Sequence, residues 1–196
     1  MAAREVYGLV LAGGQSRRMG RDKALLLRDG QSQLAHMVSL LDAVVDRVFV
    51  SARSEQTADA ERSRFELIVD RYDDMGPVAG ILSALQEYPE VDWLVVACDL
   101  PNIDDSTLRF LLENISDNQP FTAFRSSHDG LPEPLCAVYK AGSDKLLLEF
   151  VDDGMICPRK ILIRSETCLL EQANPSSLDN VNTPDDLEKS VLEAAS

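Results

Sequence analysis

Residues 9–23 have the sequence Leu-Val-Leu-Ala-Gly-Gly-Gln-Ser-Arg-Arg-Met-Gly-Arg-Asp-Lys. They continue an apolar run that begins at Val6 and stops at Leu11, a pattern typical of a parallel strand buried on both faces. Gly13 and Gly14 follow directly, and residues without a Cβ allow a tight turn and a close approach of the backbone to a bulky group. We therefore predict a buried strand that ends in a glycine loop suited to ligand binding.

The loop is also basic, although the chain as a whole is acidic. Four basic residues occur within seven positions, at Arg17, Arg18, Arg21 and Lys23, while the net charge of the chain is −14. Consecutive backbone N–H groups beside guanidinium and ammonium groups suit a polyphosphate, which an isolated basic pocket attracts at short range. The alternative is an ordinary strand and turn followed by a solvated basic loop.

The composition limits the classes of protein to which the chain can belong. A length of 196 residues and a hydrophobic share of 45% predict a single domain, residues 1–196, with a real core. The strong negative charge argues against nucleic-acid binding, which requires a basic face. The first apolar run is too short for a membrane span or a secretory signal, so we expect a cytoplasmic protein without membrane contact.

The cysteines and histidines argue against zinc. The four cysteines are widely spaced without a Cys-x-x-Cys pair, and His36 and His128 are the only histidines. We therefore expect reduced thiols, as is usual in the cytoplasm, and no zinc site.

Strands and helices alternate along the first two thirds of the chain. Apolar runs predict strands at residues 6–11, 48–50, 67–69, 93–98 and 121–124, and periodic segments predict helices at 31–45, 78–88 and after Asp104. This alternation predicts a three-layer α/β/α fold with a mainly parallel sheet. Residues 132–170 break the alternation and predict an antiparallel strand, and a capped terminal helix is expected from Pro184 to Ala194.

Polar residues follow the predicted strands where ligands of open α/β sheets bind. The glycine loop, Ser51, Asp70 and Asp99 each lie at the carboxyl end of a strand. Asp99 follows an apolar strand, where a carboxylate is costly unless it is exposed or paired with a cation, and Mg²⁺ accepts one or two carboxylates. Asp99 is therefore a candidate Mg²⁺ ligand, or alternatively a turn aspartate ahead of Pro101. Asp70 is a candidate contact for a base, a ribose or a metal-bound water, or a plain strand-end residue.

Two common nucleotide motifs are absent from the sequence. The glycine loop does not end in Gly-Lys-Ser/Thr, as a Walker A loop does, and it does not have the Gly-x-Gly-x-x-Gly pattern. A Rossmann dehydrogenase is therefore disfavoured.

Five segments in order resemble one family. The first, Leu11-Ala12-Gly13-Gly14-x-Ser16-x-Arg18-Met19-Gly20-x-Asp22-Lys23, is similar to the signature loop of the molybdenum cofactor guanylyltransferases. These belong to a group of nucleotidyltransferases with a Rossmann-like, GT-A-type fold. The other four segments are Gly76-Pro77-x-x-Gly80-Ile81, Asp99-Leu100-Pro101, Glu133-Pro134-Leu135 and Asn180-Val181-Asn182-Thr183-Pro184. The resemblance covers nearly the whole chain.

The resemblance implies a reaction. Molybdopterin, through its terminal phosphate, attacks the α-phosphorus of GTP with the help of Mg²⁺, so that pyrophosphate leaves and a guanine dinucleotide cofactor forms. GTP and molybdopterin are then the substrates, and molybdoenzymes or other proteins of cofactor biosynthesis are the implied partners. In such a transfer a protein mainly positions groups and neutralises charge.

The resemblance also implies residue roles. Catalysis is assigned to Arg18, Lys23 and Asp99, with Asp99 as the metal ligand. Nucleotide binding is assigned to Leu11, Ala12, Gly13, Gly14, Ser16, Lys23, Ser51, Asp70, Gly76, Gly80 and Asp99. Acceptor binding is assigned to Arg159, Asn180 and Asn182. Ser51 departs from the family, which often has asparagine at this position, and Gly13 separates the chain from cytidylyl relatives that typically have Leu-Ala-Ala-Gly.

Three alternatives remain at this stage. The chain could transfer CMP to molybdopterin, transfer a nucleotide to a sugar or polyol phosphate, or bind nucleotide or cofactor without catalysis. Arg18, Lys23 and Asp99 together favour an enzyme, because binding alone does not require all three.

Overall fold

The computed structural model describes residues 5–14, 22–181, 186 and 192. Seven strands form one sheet in the order β5-β4-β1-β6-β8-β7-β9, and a hairpin of two short strands, β2 and β3, lies outside it. The strands are β1 (Val6–Leu11), β2 (Leu27–Arg28), β3 (Gln31–Ser32), β4 (Arg47–Ala52), β5 (Leu67–Val69), β6 (Asp92–Ala97), β7 (Phe121–Arg125), β8 (Pro132–Tyr139) and β9 (Thr167–Leu170).

Within residues 5–14 and 22–181, five α-helices cover the faces of this sheet. They are α1 (Gln33–Asp42), α2 (Pro77–Glu87), α3 (Asp105–Glu113), α4 (Asp144–Asp152) and α5 (Pro158–Arg164). No helix in the described part of the chain is long and apolar enough to cross a membrane.

Successive residues of β1 supply two separate hydrophobic cores. Val10 packs in a cluster with the apolar faces of α1 and α3, whereas Leu9 packs in a second cluster with α2, α4 and α5. Both side chains are fully buried, because consecutive residues of a strand point to opposite faces of the sheet. The predicted three-layer α/β/α fold with a mainly parallel sheet is confirmed.

The strand order has a switch point at β1, because later strands are added first on one side of β1 and then on the other. The chain proceeds from β1 to β4 and β5 on one side, and then returns to place β6 on the other side of β1. All four of these strands are parallel, so their carboxyl ends meet at one edge. A ligand crevice is expected beside such a switch point.

The predicted antiparallel strand is also confirmed. β8 pairs antiparallel with β6, with Cys136 opposite Val96, and it pairs antiparallel with β7 on its other side. The amino end of β8 therefore lies at the same edge as the carboxyl end of β6.

Helix boundaries differ from prediction by a few residues. The first helix begins at Gln33 instead of residue 31, because residues 31–32 pair with β2 and the Ser32 hydroxyl caps the helix by accepting a hydrogen bond from the Ala35 N–H at 3.0 Å. Most of the predicted terminal helix, together with Pro184, lies outside the described residues.

Candidate active site

A cleft of about 740 Å³ opens at the carboxyl edge of β1, β4, β5 and β6. It collects residues from distant parts of the sequence, because these parallel strands end side by side. The nucleotide-site residues of the sequence analysis that line it are Leu11, Gly13, Gly14, Lys23, Ser51, Asp70, Gly76 and Asp99. Ser16, Arg18 and Asn182 lie outside the described residues.

Lys23 and Asp99 form an ion pair in the cleft. Asp22 accepts a hydrogen bond from the Ala24 N–H at 3.0 Å and so caps the short 3₁₀ helix Lys23–Leu25. Lys23 Nζ lies 3.1 Å from Asp99 Oδ2, and the two side chains are 16% and 23% exposed. The pair joins the first loop of the chain to the end of β6.

The second carboxylate oxygen of Asp99 is available for a cation. Asp99 Oδ1 is buried and has no hydrogen-bond partner among the described residues. In that part of the chain no three His, Cys, Asp or Glu side chains cluster as a ligand set. The donor set therefore fits a Mg²⁺ ion held by one carboxylate, with phosphate oxygens and waters as its other ligands.

Ser51 and Asp70 form a second pair, at the ends of β4 and β5. The Ser51 hydroxyl donates a hydrogen bond to Asp70 Oδ1 at 2.8 Å. Burial raises the pKa of Asp70 above its ordinary value, against the opposing effects of the Ser51 hydrogen bond and the charge of Arg53. The Ser51 hydroxyl is thus committed to a neighbouring carboxylate, a pairing that the sequence did not indicate.

Three glycines have different structural tasks. A Cβ at Gly13 would lie 3.4 Å from Asp70 Oδ2, in ordinary contact, so the fold could accept a side chain as small as that of alanine there. Gly76 caps α2 with a φ of 55°, in the left-handed region that favours glycine. Gly80 is buried outside the lining of the cleft, and a Cβ there would lie 2.4 Å from Ser51 Oγ. Gly80 therefore allows α2 to pack closely against β4.

Two arginines that the sequence analysis did not select hold the glycine loop. Arg53 Nε donates to the Gly13 carbonyl at 2.9 Å, and Arg62 Nη2 donates to the carbonyl of buried Ala12 at 2.7 Å. Both arginines come from the polar segment after β4. Nothing in that segment's pattern distinguishes a buried arginine from a solvated one.

The C-terminal motif approaches the same edge through the backbone. The Val181 N–H donates to the Asp99 carbonyl at 3.0 Å, so exposed Asn180 lies one residue from a direct contact with the end of β6. Arg159 is outside the lining of the cleft, and its guanidinium pairs with Asp129 and Glu133 at 2.8 Å each. The structure thus brings Asn180 near the cleft and engages Arg159 elsewhere.

Comparison with known proteins gives a consistent result. Residues 8–167 match the model of the MobA-like NTP transferase domain. A "Molybdenum cofactor biosynthesis bifunctional protein" of Synechocystis is 38% identical over 92% of this chain, and the chain spans 52% of that relative's length. A "Probable molybdenum cofactor guanylyltransferase" of Natronomonas pharaonis is 32% identical, covering 94% of this chain and 96% of the relative. The crystal structure of molybdopterin-guanine dinucleotide biosynthesis protein A from Archaeoglobus fulgidus has a TM-score of 0.78 at 25% identity, covering 93% and 95% of the two chains.

Proposed function

The chain belongs to the MobA-like NTP transferase family, and we propose that it transfers GMP from GTP to molybdopterin. An ionised oxygen of the molybdopterin phosphate forms a bond to the α-phosphorus of GTP, and the bond from that phosphorus to the bridging oxygen of the β-phosphate breaks. Pyrophosphate leaves, and no general base is required because the attacking oxygen is already ionised. The observation that carries this proposal is the meeting of the glycine loop, Lys23 and Asp99 at one edge of the sheet.

The nucleotide would lie along the ends of β1, β4 and β5. Leu11 and Gly13 line this part of the cleft, which supports a role for their main chain in contacting guanine, as the resemblance implies. The Ser51–Asp70 pair supplies acceptor oxygens nearby for N–H or O–H groups of the nucleoside.

The phosphates would lie beside the Lys23–Asp99 pair. Lys23 supplies a point charge to the departing pyrophosphate, and Arg18 together with the amides of residues 13–16 completes the proposed anion site. Mg²⁺, when bound at Asp99, neutralises charge on the phosphate oxygens. Asp99 Oδ2 pairs with Lys23, and Asp99 Oδ1 would bind the metal.

The acceptor would enter from the side of the C-terminal motif. Asn180 precedes Val181, whose N–H donates a backbone hydrogen bond to the Asp99 carbonyl. This contact supports a role for Asn180 and Asn182 in holding molybdopterin. Arg159 is shared by two carboxylates, so we propose that it contributes to the acceptor side by orienting Glu133. Because both cores lie against one sheet, we also propose that the chain acts as a single catalytic domain.

The test is a panel of GTP, CTP, ATP and UTP, each incubated with Mg²⁺, molybdopterin and the full chain. We expect pyrophosphate and a guanine dinucleotide product with GTP alone. Consumption of CTP instead of GTP would overturn the choice of base, and transfer only to a sugar or polyol phosphate would overturn the acceptor. Saturable GTP binding without any pyrophosphate release would show a non-catalytic binder.

A further inference from the structure

Arg62 is a buried charged side chain behind the glycine loop, and the proposed function does not use it. It is 1% exposed and lies in the 3₁₀ helix Arg62–Arg64, between β4 and β5. A buried guanidinium is costly unless its N–H groups and its charge have partners. The partners of Arg62 therefore indicate what it does.

Those partners lie at both ends of one segment. Arg62 Nη2 donates to the Ala12 carbonyl at 2.7 Å and to Asp22 Oδ2 at 2.7 Å. Ala12 and Asp22 are the residues immediately before and after residues 13–21, which carry the loop assigned to the phosphates. A single nitrogen atom thus joins the two ends of that segment.

The two bonds also fix neighbouring groups of the site. The bond to the Ala12 carbonyl fixes the peptide that precedes Gly13, whose own carbonyl is held by Arg53. Asp22 uses its other oxygen to cap the 3₁₀ helix that begins with Lys23, and Lys23 pairs with Asp99. Arg62 therefore helps to fix Gly13 on one side of the proposed phosphate site and Lys23 on the other.

We propose that Arg62 is a positioning residue, which holds the Ala12 carbonyl and Asp22 together so that Gly13 and Lys23 are preorganised to bind a triphosphate. This inference rests on the proposed function. Arg62 acts through Ala12 and Asp22, because its side chain is buried outside the lining of the cleft and its charge is shared by Asp22 and by Asp59 at 3.4 Å. Fixing a loop before binding removes an entropic cost that the ligand would otherwise bear.

The number of phosphates on the ligand separates this role from a general loss of structure. We would compare binding of GTP and GMP, in Mg²⁺, to the wild type and to Arg62→Met, at a temperature where circular dichroism shows both to be folded. We expect GTP affinity to fall about ten- to a hundredfold. GMP affinity should fall much less, because GMP lacks the β- and γ-phosphates that the proposed phosphate site would hold. Damage to the whole nucleotide site would weaken both ligands by the same factor.

Arg64 provides a matched control. It lies in the same 3₁₀ helix, is exposed, and pairs with Glu61 at 2.8 Å, so Arg64→Met removes the same charge and keeps the bonds of Arg62 to Ala12 and Asp22. We expect its GTP and GMP affinities to stay within about twofold of wild type. Arg62→Lys is the second variant, used if Arg62→Met does not fold. Its compact ammonium does not reproduce the planar fork of arginine, so we expect an intermediate loss of GTP affinity.

The proposal is overturned if the folded Arg62 variant keeps the wild-type ratio of GTP to GMP affinity. This outcome is distinct from failure of the proposed function, in which the wild type would transfer no GMP to molybdopterin. If the wild type binds another nucleoside triphosphate instead, the same comparison is made with that triphosphate and its monophosphate.

Discussion

The ammonium group of Lys23 lies 3.1 Å from Oδ2 of Asp99, a carboxylate 76 positions further along the chain. The contact ties the loop after β1 to the end of β6, the two strands that pair at the centre of the sheet. It also leaves the other oxygen of Asp99 buried and open to a cation. A single carboxylate thus connects a basic residue to the proposed metal position.

Replacing Asp99 by asparagine should abolish most turnover with little loss of stability. Asp99→Asn keeps the shape of the side chain but removes the charge that would hold Mg²⁺, so we expect GMP transfer to fall by about 10²–10³-fold. The measurement is pyrophosphate release over a Mg²⁺ titration, with the melting temperature recorded in parallel. Asp105→Asn, in an exposed pair with Arg109, is the control and should retain activity. Wild-type turnover by Asp99→Asn would exclude a metal role.

Gly13→Ala should change the choice of nucleotide more than the stability. A Cβ at this position would be in ordinary contact with Asp70 Oδ2 at 3.4 Å and would occupy cleft space. We expect the free energy of unfolding to stay within about 0.5 kcal/mol of wild type. The ratio of kcat/KM for GTP over CTP should fall roughly tenfold, since the variant has the Leu-Ala-Ala-Gly sequence of cytidylyl relatives. An unchanged ratio would separate Gly13 from base selection.

Gly80→Ala should destabilise the fold directly. Its Cβ would lie 2.4 Å from Ser51 Oγ and 3.0 Å from Leu11 Cδ2, so α2 must move away from β4. We expect a loss of about 1–3 kcal/mol, measured by denaturant unfolding. Gly14→Ala is the control, because no described atom lies within 4 Å of the Cβ it would add. Combining Gly80→Ala with Ser51→Gly should recover part of the loss. Equal stability of the two alanine variants would contradict the packing role.

Asp70→Asn should stabilise the chain at neutral pH and weaken nucleotide binding. Burial raises the pKa of Asp70 above 3.8, so the folded state takes up this proton at a higher pH than the unfolded state. The ionised carboxyl therefore costs stability above its folded pKa, and the cost disappears as the pH falls through that pKa toward 3.8. We expect the variant to gain about 1 kcal/mol at pH 7, an advantage that shrinks on acidification.

Thermal unfolding of wild type and Asp70→Asn between pH 7 and pH 4 measures this effect, because a difference in pKa between the folded and unfolded states sets the slope of stability against pH. Asp73→Asn, which changes an exposed aspartate in the same cleft, is measured in parallel as the control. If the difference in stability between wild type and Asp70→Asn were constant with pH, burial of the Asp70 carboxylate would not destabilise the fold.

The sequence predicted those parts of the fold that depend on local pattern. The bounds of β1 and β5 agree with their apolar runs, and the glycine loop and Asp99 fall at the predicted edge because parallel strands end together. The pairing of Ser51 with Asp70 joins two such ends and depends on sheet order, which local pattern does not encode.

Contacts between distant polar residues could not be predicted. Arg62 lies 50 positions from Ala12, in a segment that has only weak helical character by sequence, and its burial depends on how that segment folds over the loop. Arg159 resembles a family residue by position, yet its pairing with Asp129 and Glu133 depends on the β7–β8 hairpin. Side-chain charge alone does not indicate which partner a residue finds.

Because β8 runs antiparallel to β6, the edge of the sheet at the cleft combines the carboxyl ends of some strands with the amino end of another. Four parallel strands deliver their ends to the nucleotide side of the cleft, whereas β8 delivers its beginning, with Leu135 at the wall of the cleft. The hairpin connection between Arg125 and Pro132 therefore projects from the same edge without being part of the parallel strands. Insertions or deletions in this connection would leave in place the four parallel strand ends at the cleft. The connection can therefore change in length while Ser51, Asp70 and Asp99 keep their positions at the edge of the sheet.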